Sequence, residues 1–204
     1  AQPINNILSA QFSVLNQLKL KDARENELIL SDIYHNARRC FIRGAYADVL
    51  ARVWRLLEGG MFYYLRENYG IEPSGLEKSP CLKSNETGSF AHDIVNKLLT
   101  EDKRHLSFES SRILLKEDLR DEAFCNFLTK RVSAGGRQEE FGGMMEGLRQ
   151  RRNESVVAHG VKPVEVGTAQ SGLELAAQFL HFLFPQLALG QYPFAQEKLI
   201  ELGQ

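Results

Sequence analysis

Residues 141–160 read Phe141-Gly142-Gly143-Met144-Met145-Glu146-Gly147-Leu148-Arg149-Gln150-Arg151-Arg152-Asn153-Glu154-Ser155-Val156-Val157-Ala158-His159-Gly160. At about 100° per residue, a helical period puts Phe141, Met145, Leu148, Arg152 and His159 on one narrow stripe. An apolar helix face therefore leads into a permanent cation and a titratable imidazole. Arginine is rarely placed on a buried stripe unless it is paired or works at an interface. Val156-Val157 is β-branched and a weak helix segment, and Gly160 and then Pro163 stop any helix.

The same period recurs along the chain. Ile4, Leu8, Phe12, Leu15 and Leu18 mark one amphipathic helix, and Leu30, Ile33, Tyr34, Ala37 and Phe41 a second. After Gly44 a longer helix carries Tyr46, Val49, Leu50, Val53, Trp54, Leu57, Met61 and Leu65, and Gly70 and Pro73 end it. Residues 71–88 read as a loop. Ser89 caps a helix whose apolar stripe is Phe90, Ile94 and Leu98. Residues 107–119 are ambiguous. Asp121 caps a helix with Phe124, Phe127 and Leu128, and Ser133-Ala134-Gly135-Gly136 breaks it. A buried helix is expected over Leu173–Phe184 and an amphipathic stretch over Phe194–Leu202. No alternating run of five or more residues reads as a strand, so the expected class is all-α.

With 204 residues the chain can bury a substantial core. A net charge of −1 gives no global attraction to nucleic acid, so a nucleic-acid site must be local. Between Lys130 and Arg152 six basic residues (Lys130, Arg131, Arg137, Arg149, Arg151 and Arg152) face three acids, Glu139, Glu140 and Glu146. Cys40, Cys81 and Cys125 are far apart and form no CxxC; Cys40 and Cys125 read as core, which favours a reducing cytoplasm. No apolar run approaches the length of a membrane span. The glycines at 135, 136, 142 and 143 do not make a P-loop, and there is no HExxH or GxSxG. His35, His92, His105 and His181 are expected in surface or core roles. No metal or other cofactor is expected.

Arg and His together suit phosphodiester chemistry without a metal. A guanidinium fork matches two phosphate oxygens, and an imidazole exchanges a proton near pH 7. RNA supplies its own nucleophile, the 2′-hydroxyl. Arg152 would hold the phosphate, and His159 would act on the 2′-hydroxyl or the leaving 5′-oxygen. Asn153 would orient a water, the phosphate or the Arg152 side chain. Arg149 and Arg151 are candidate RNA contacts.

Arg152-Asn153, the six-residue gap and Ala158-His159-Gly160 resemble the signature of HEPN domains, an Arg and a polar residue followed after four to six positions by His. The run Gly44-Ala45-Tyr46-Ala47-Asp48-Val49-Leu50-Ala51-Arg52-Val53-Trp54-Arg55-Leu56-Leu57-Glu58 resembles the long first helix of HEPN proteins associated with CRISPR systems. The resemblance covers roughly residues 25–185. It implies a helical bundle, a homodimer and metal-independent cleavage of single-stranded RNA in CRISPR-linked antiviral defence. It also implies an upstream CARF-type sensor, so residues 1–22 are expected to be an N-terminal helix in the position of a linker. The HEPN-like domain would span 23–204, with an insertion over about 71–120. Glu58, one helical turn after Trp54, is the candidate partner that holds Arg152. A non-catalytic helical dimerisation or RNA-binding module, using the same stripe as its interface, is the alternative.

Overall fold

The computed structural model describes residues 25–83, 89–155 and 162–189. The expected helices over 4–18 and 194–202 lie outside those residues. Seven α-helices and one two-stranded sheet are present among the described residues. The helices are α1 (Glu25–Ile42), α2 (Tyr46–Tyr69), α3 (Phe90–Thr100), α4 (Phe108–Ile113), α5 (Glu122–Thr129), α6 (Phe141–Glu154) and α7 (Val166–Leu183). Strands β1 (Arg131–Ala134) and β2 (Arg137–Glu140) pair as a hairpin. The class is all-α, as expected, with this small sheet added. No described helix is long and apolar enough to cross a membrane.

The chain divides into two compact units. Of the described residues, the first takes in those up to Leu56, Ser133–Glu139 and those from Gly143 onward. Here α1 packs on α7, and Val49, Leu50 and Val53 of α2 are fully buried. Met145 and Leu148 of α6 are buried as the stripe predicts. A Cβ at Gly172 of α7 would touch Leu148 and Leu50, each at 3.4 Å, so α2, α6 and α7 meet at that point. The last helix is buried on one side only, through Ala169, Leu175, Ala176, Phe179 and Leu180, while His181 is exposed.

The hairpin corrects the expectation that 133–136 only breaks a helix. Gly135 and Gly136 both have positive φ, +59° and +75°, the pairing that a tight two-residue hairpin turn demands. The turn is docked on α7. The Gly135 N–H donates to Glu174 Oε2 at 2.7 Å, and Gln178 donates to the Ser133 carbonyl. A side chain at Gly135 would collide with Ser171 Oγ.

The second unit comprises Leu57–Val132 and Glu140–Gly142, and the expected insertion, 71–120, falls wholly within that span. Its core includes Leu57, Met61, Leu65, Ile71, Leu76, Leu115 and Phe124. Phe127 stacks at a tilt on Phe141, with ring centroids 4.3 Å apart. The segment read as a loop contains two 3-10 turns, Leu76–Lys78 and Pro80–Leu82, and buries Leu76 and Cys81. The ambiguous 107–119 stretch is α4 followed by a π-helical turn, Leu114–Asp118.

Ser89 caps α3, accepting from the His92 N–H. The face that α3 buries is not the expected one, however. Ala91 and Val95 are buried, and Phe90 is 62% exposed. Asp121 caps α5 by accepting from the Phe124 N–H at 2.7 Å. The same carboxylate accepts from the Tyr69 hydroxyl at 2.6 Å and the Tyr64 hydroxyl at 3.0 Å, both from α2. Burial first, and then the Asp121 carboxylate, push both phenols above the ordinary tyrosine range.

Of the cysteines, Cys40 and Cys81 are buried, as expected for Cys40, whereas Cys125 is only half-buried. All three are free thiols.

Candidate active site at the end of helix α6

Helix α6 runs from Phe141 to Glu154 and stops before Val156-Val157, earlier than a helix reaching His159 would. Its end is closed by its own polar groups. The Ser155 hydroxyl donates to the Arg152 carbonyl at 2.7 Å. Ser155 forms a parallel bridge with Lys162, whose N–H donates to the Glu154 carbonyl. Lys162 Nζ and Glu154 Oε2 form an ion pair at 3.0 Å. Carbonyls that would otherwise be orphaned at a helix C-terminus are thus taken up. His159 falls in 156–161, outside the described residues.

Arg152 follows Leu148 by one turn and is half-buried. Its guanidinium lies over the ring of Trp54, 6.0 Å from the centroid, a cation–π arrangement. One terminal nitrogen donates to Asn153 Oδ1 at 3.1 Å. The Nε donor is buried and has no hydrogen-bond partner, and no carboxylate pairs with Arg152 among the described residues. A planar cation is therefore held against an aromatic face with donors still unspent, the arrangement in which a guanidinium can take a phosphate.

The chain matches the family model described as Csm6 HEPN domain over residues 20–182. It belongs to that family. The family is CRISPR-associated, and HEPN domains are generally ribonucleases. The HEPN match spans α1 to α7 almost entirely and includes Arg152, Asn153 and His159. No curated protein and no solved structure matches the chain.

Within the HEPN domain, the arginine cluster splits three ways. Arg149 forms a two-pronged pair with Glu146, at 2.8 and 2.6 Å. Arg151 turns towards α7 and donates to Thr168 Oγ1 at 2.5 Å. Arg152 meets Trp54. Asn153 is exposed and touches the Arg152 guanidinium. Glu58 is half-buried and belongs to the second compact unit, whereas Arg152 belongs to the first.

The contact that sequence reasoning missed is Trp54. It reads as one more apolar position of α2, and its meeting with Arg152 joins residues about a hundred positions apart. The chain's only tryptophan on a helix that resembles the family's first helix was the available signal. Among the described residues no group of three or more His, Cys, Asp or Glu could hold a metal ion.

Proposed function

We propose that this HEPN domain is a metal-independent endoribonuclease that cleaves single-stranded RNA in CRISPR-linked antiviral defence. The observation that carries the reading is Arg152, a half-buried guanidinium set on the Trp54 face with no carboxylate partner among the described residues. The 2′-oxygen attacks the adjacent phosphorus, the bond from phosphorus to the 5′-oxygen breaks, and a 2′,3′-cyclic phosphate remains. Arg152 gathers the developing charge on the phosphoryl oxygens. His159 accepts the 2′-proton or supplies the proton that the departing 5′-oxygen takes up. Asn153 orients the guanidinium, and Arg149 and Arg151 attract the RNA backbone.

A homodimer with a two-fold axis through the α6 end would bring two copies of the Arg/His motif into one groove. That arrangement supplies an acceptor, a donor and charge stabilisation together. An upstream CARF-type sensor domain in the full-length protein is the further partner that the resemblance implies.

Incubation with single-stranded RNA in excess EDTA tests the chemistry. Cleavage should persist, the products should carry 2′,3′-cyclic phosphates, and RNA with methylated 2′-hydroxyls should survive intact. A strict magnesium requirement, or scission of the methylated RNA, rules the mechanism out. A protein that binds RNA or dimerises without cleaving is a scaffold instead.

A further inference from the structure

A cavity of 260 Å³ opens between the β1–β2 hairpin, α6 and α7, and its lining residues all belong to the first unit. Two guanidiniums, Arg137 and Arg151, and two carboxylates, Glu139 and Glu165, line it. None of the four forms an ion pair among the described residues. Leu148 and Leu175 give it apolar walls. Its sides are fixed, because the hairpin is bonded to α7 through Gly135 and Glu174 and Arg151 reaches across from α6 to Thr168.

The floor is glycine. Gly147 sits in the middle of α6, where glycine is disfavoured because it leaves the unfolded chain more freedom to lose. No neighbour demands it, since nothing lies within 4 Å of where its Cβ would stand. Gly143, one turn earlier, is explained by contact: its Cβ would lie 2.7 Å from Glu139 Oε1, so the bare backbone lets that carboxylate lie against α6. The open backbone at Gly147 is left without a partner to account for it. A flat group that approaches the helix closely would account for it.

We infer that this cavity is a base-recognition subsite that takes one unpaired nucleobase of the RNA substrate, with guanine the best match. The inference rests on the ribonucleic-acid reading above. A phosphate suits the cavity poorly, because two carboxylates face it. A base presents donors and acceptors on different edges. Guanine offers N1–H and the N2 amine to a carboxylate, and O6 and N7 to a guanidinium, so both kinds of lining group are satisfied at once. The volume is below the range of about 300–1,000 Å³ of drug-sized sites, which suits a single base. Arg151, which lines this cavity, and Arg152, which meets Trp54, leave α6 from consecutive positions about 100° apart around the helix, so the cavity and the proposed phosphate position share the C-terminal end of α6.

Filling the cavity at Gly147 separates binding from folding, since stability and recognition should move in opposite directions. Gly147→Ala should raise Tm by roughly 2–4 °C through helix propensity alone. Fluorescence anisotropy with 2′-O-methylated oligonucleotides of G, A, C or U in an otherwise constant sequence measures recognition without cleavage. The wild-type chain should bind the G oligonucleotide at least about tenfold tighter than the U oligonucleotide. Gly147→Leu should abolish that preference, and Gly147→Ala should reduce it. Equal binding of all four oligonucleotides by the wild-type chain, or a preference untouched in Gly147→Leu and Gly147→Ala, overturns the subsite. Base-selective binding without cleavage leaves the subsite standing and removes the ribonuclease; cleavage with no effect at Gly147 does the reverse.

Discussion

Two charged side chains, one in each compact unit, sit in opposite states of satisfaction. Asp121 in the second unit is buried, and its two oxygens receive three donors: the Phe124 N–H and the hydroxyls of Tyr64 and Tyr69. Arg152 in the first unit is half-buried, makes one hydrogen bond and leaves Nε buried with no partner. A charge whose valences are all filled by its own chain serves the fold, because a buried ion is tolerated only when so surrounded. A cation stabilised mainly by an aromatic face retains valence for something else. The contrast sorts structural from functional charge more sharply than burial does.

The comparison breaks first at Asp121. Asp121→Ala removes a helix cap and the acceptor for two phenols, and should destabilise the protein by about 3 kcal/mol. Urea unfolding checks this. An effect below about 1 kcal/mol would mean that the carboxylate is an ordinary surface cap.

Arg152→Ala should lower RNA cleavage by at least about a hundredfold, equivalent to about 2.7 kcal/mol of barrier, with little change in far-ultraviolet circular dichroism. Arg152→Lys should not rescue it, because an ammonium cannot make the two-pronged contact. Undiminished turnover in either variant ends the assignment.

The smallest effect sharpens the Asp121 side. The phenols of Tyr64 and Tyr69 are raised above the unfolded value, so above about pH 10 the folded state binds more protons than the unfolded one. Their contribution is fully present below about pH 10 and is lost as pH rises towards the folded-state values. Tyr69→Phe should cost about 1 kcal/mol at neutral pH and flatten the alkaline decline. A decline as steep as that of the wild type in denaturation across pH 9–11 would remove the tyrosine as its source.

The fold was legible wherever the signal was local. The caps at Ser89 and Asp121 and the buried part of the stripe, Phe141, Met145 and Leu148, each depend on residues within a few turns of one another and are observed, with Arg152 half-buried; His159, the last expected member of the stripe, lies outside the described residues. Strands of four residues are too short for alternation to stand out, so the hairpin was hidden although Gly135-Gly136 marked its turn. The short helix α3 has its start set by Ser89, but the face it buries is set by its neighbours, which left Phe90 outside. At the site, the inward course of Arg152 followed from helical spacing. The Trp54 platform and the turn of Arg151 towards Thr168 did not, since both depend on helices distant in sequence.

Trp54 is the only tryptophan in the chain, and it is nine-tenths buried beneath the Arg152 guanidinium. The protein therefore carries an optical reporter at the proposed phosphate position. An anion that draws the guanidinium off the ring changes the electrostatic surroundings of the indole and hence its emission. Occupancy of the site can be followed in the unlabelled protein, with no turnover needed, by excitation selective for the single indole over the chain's six tyrosines.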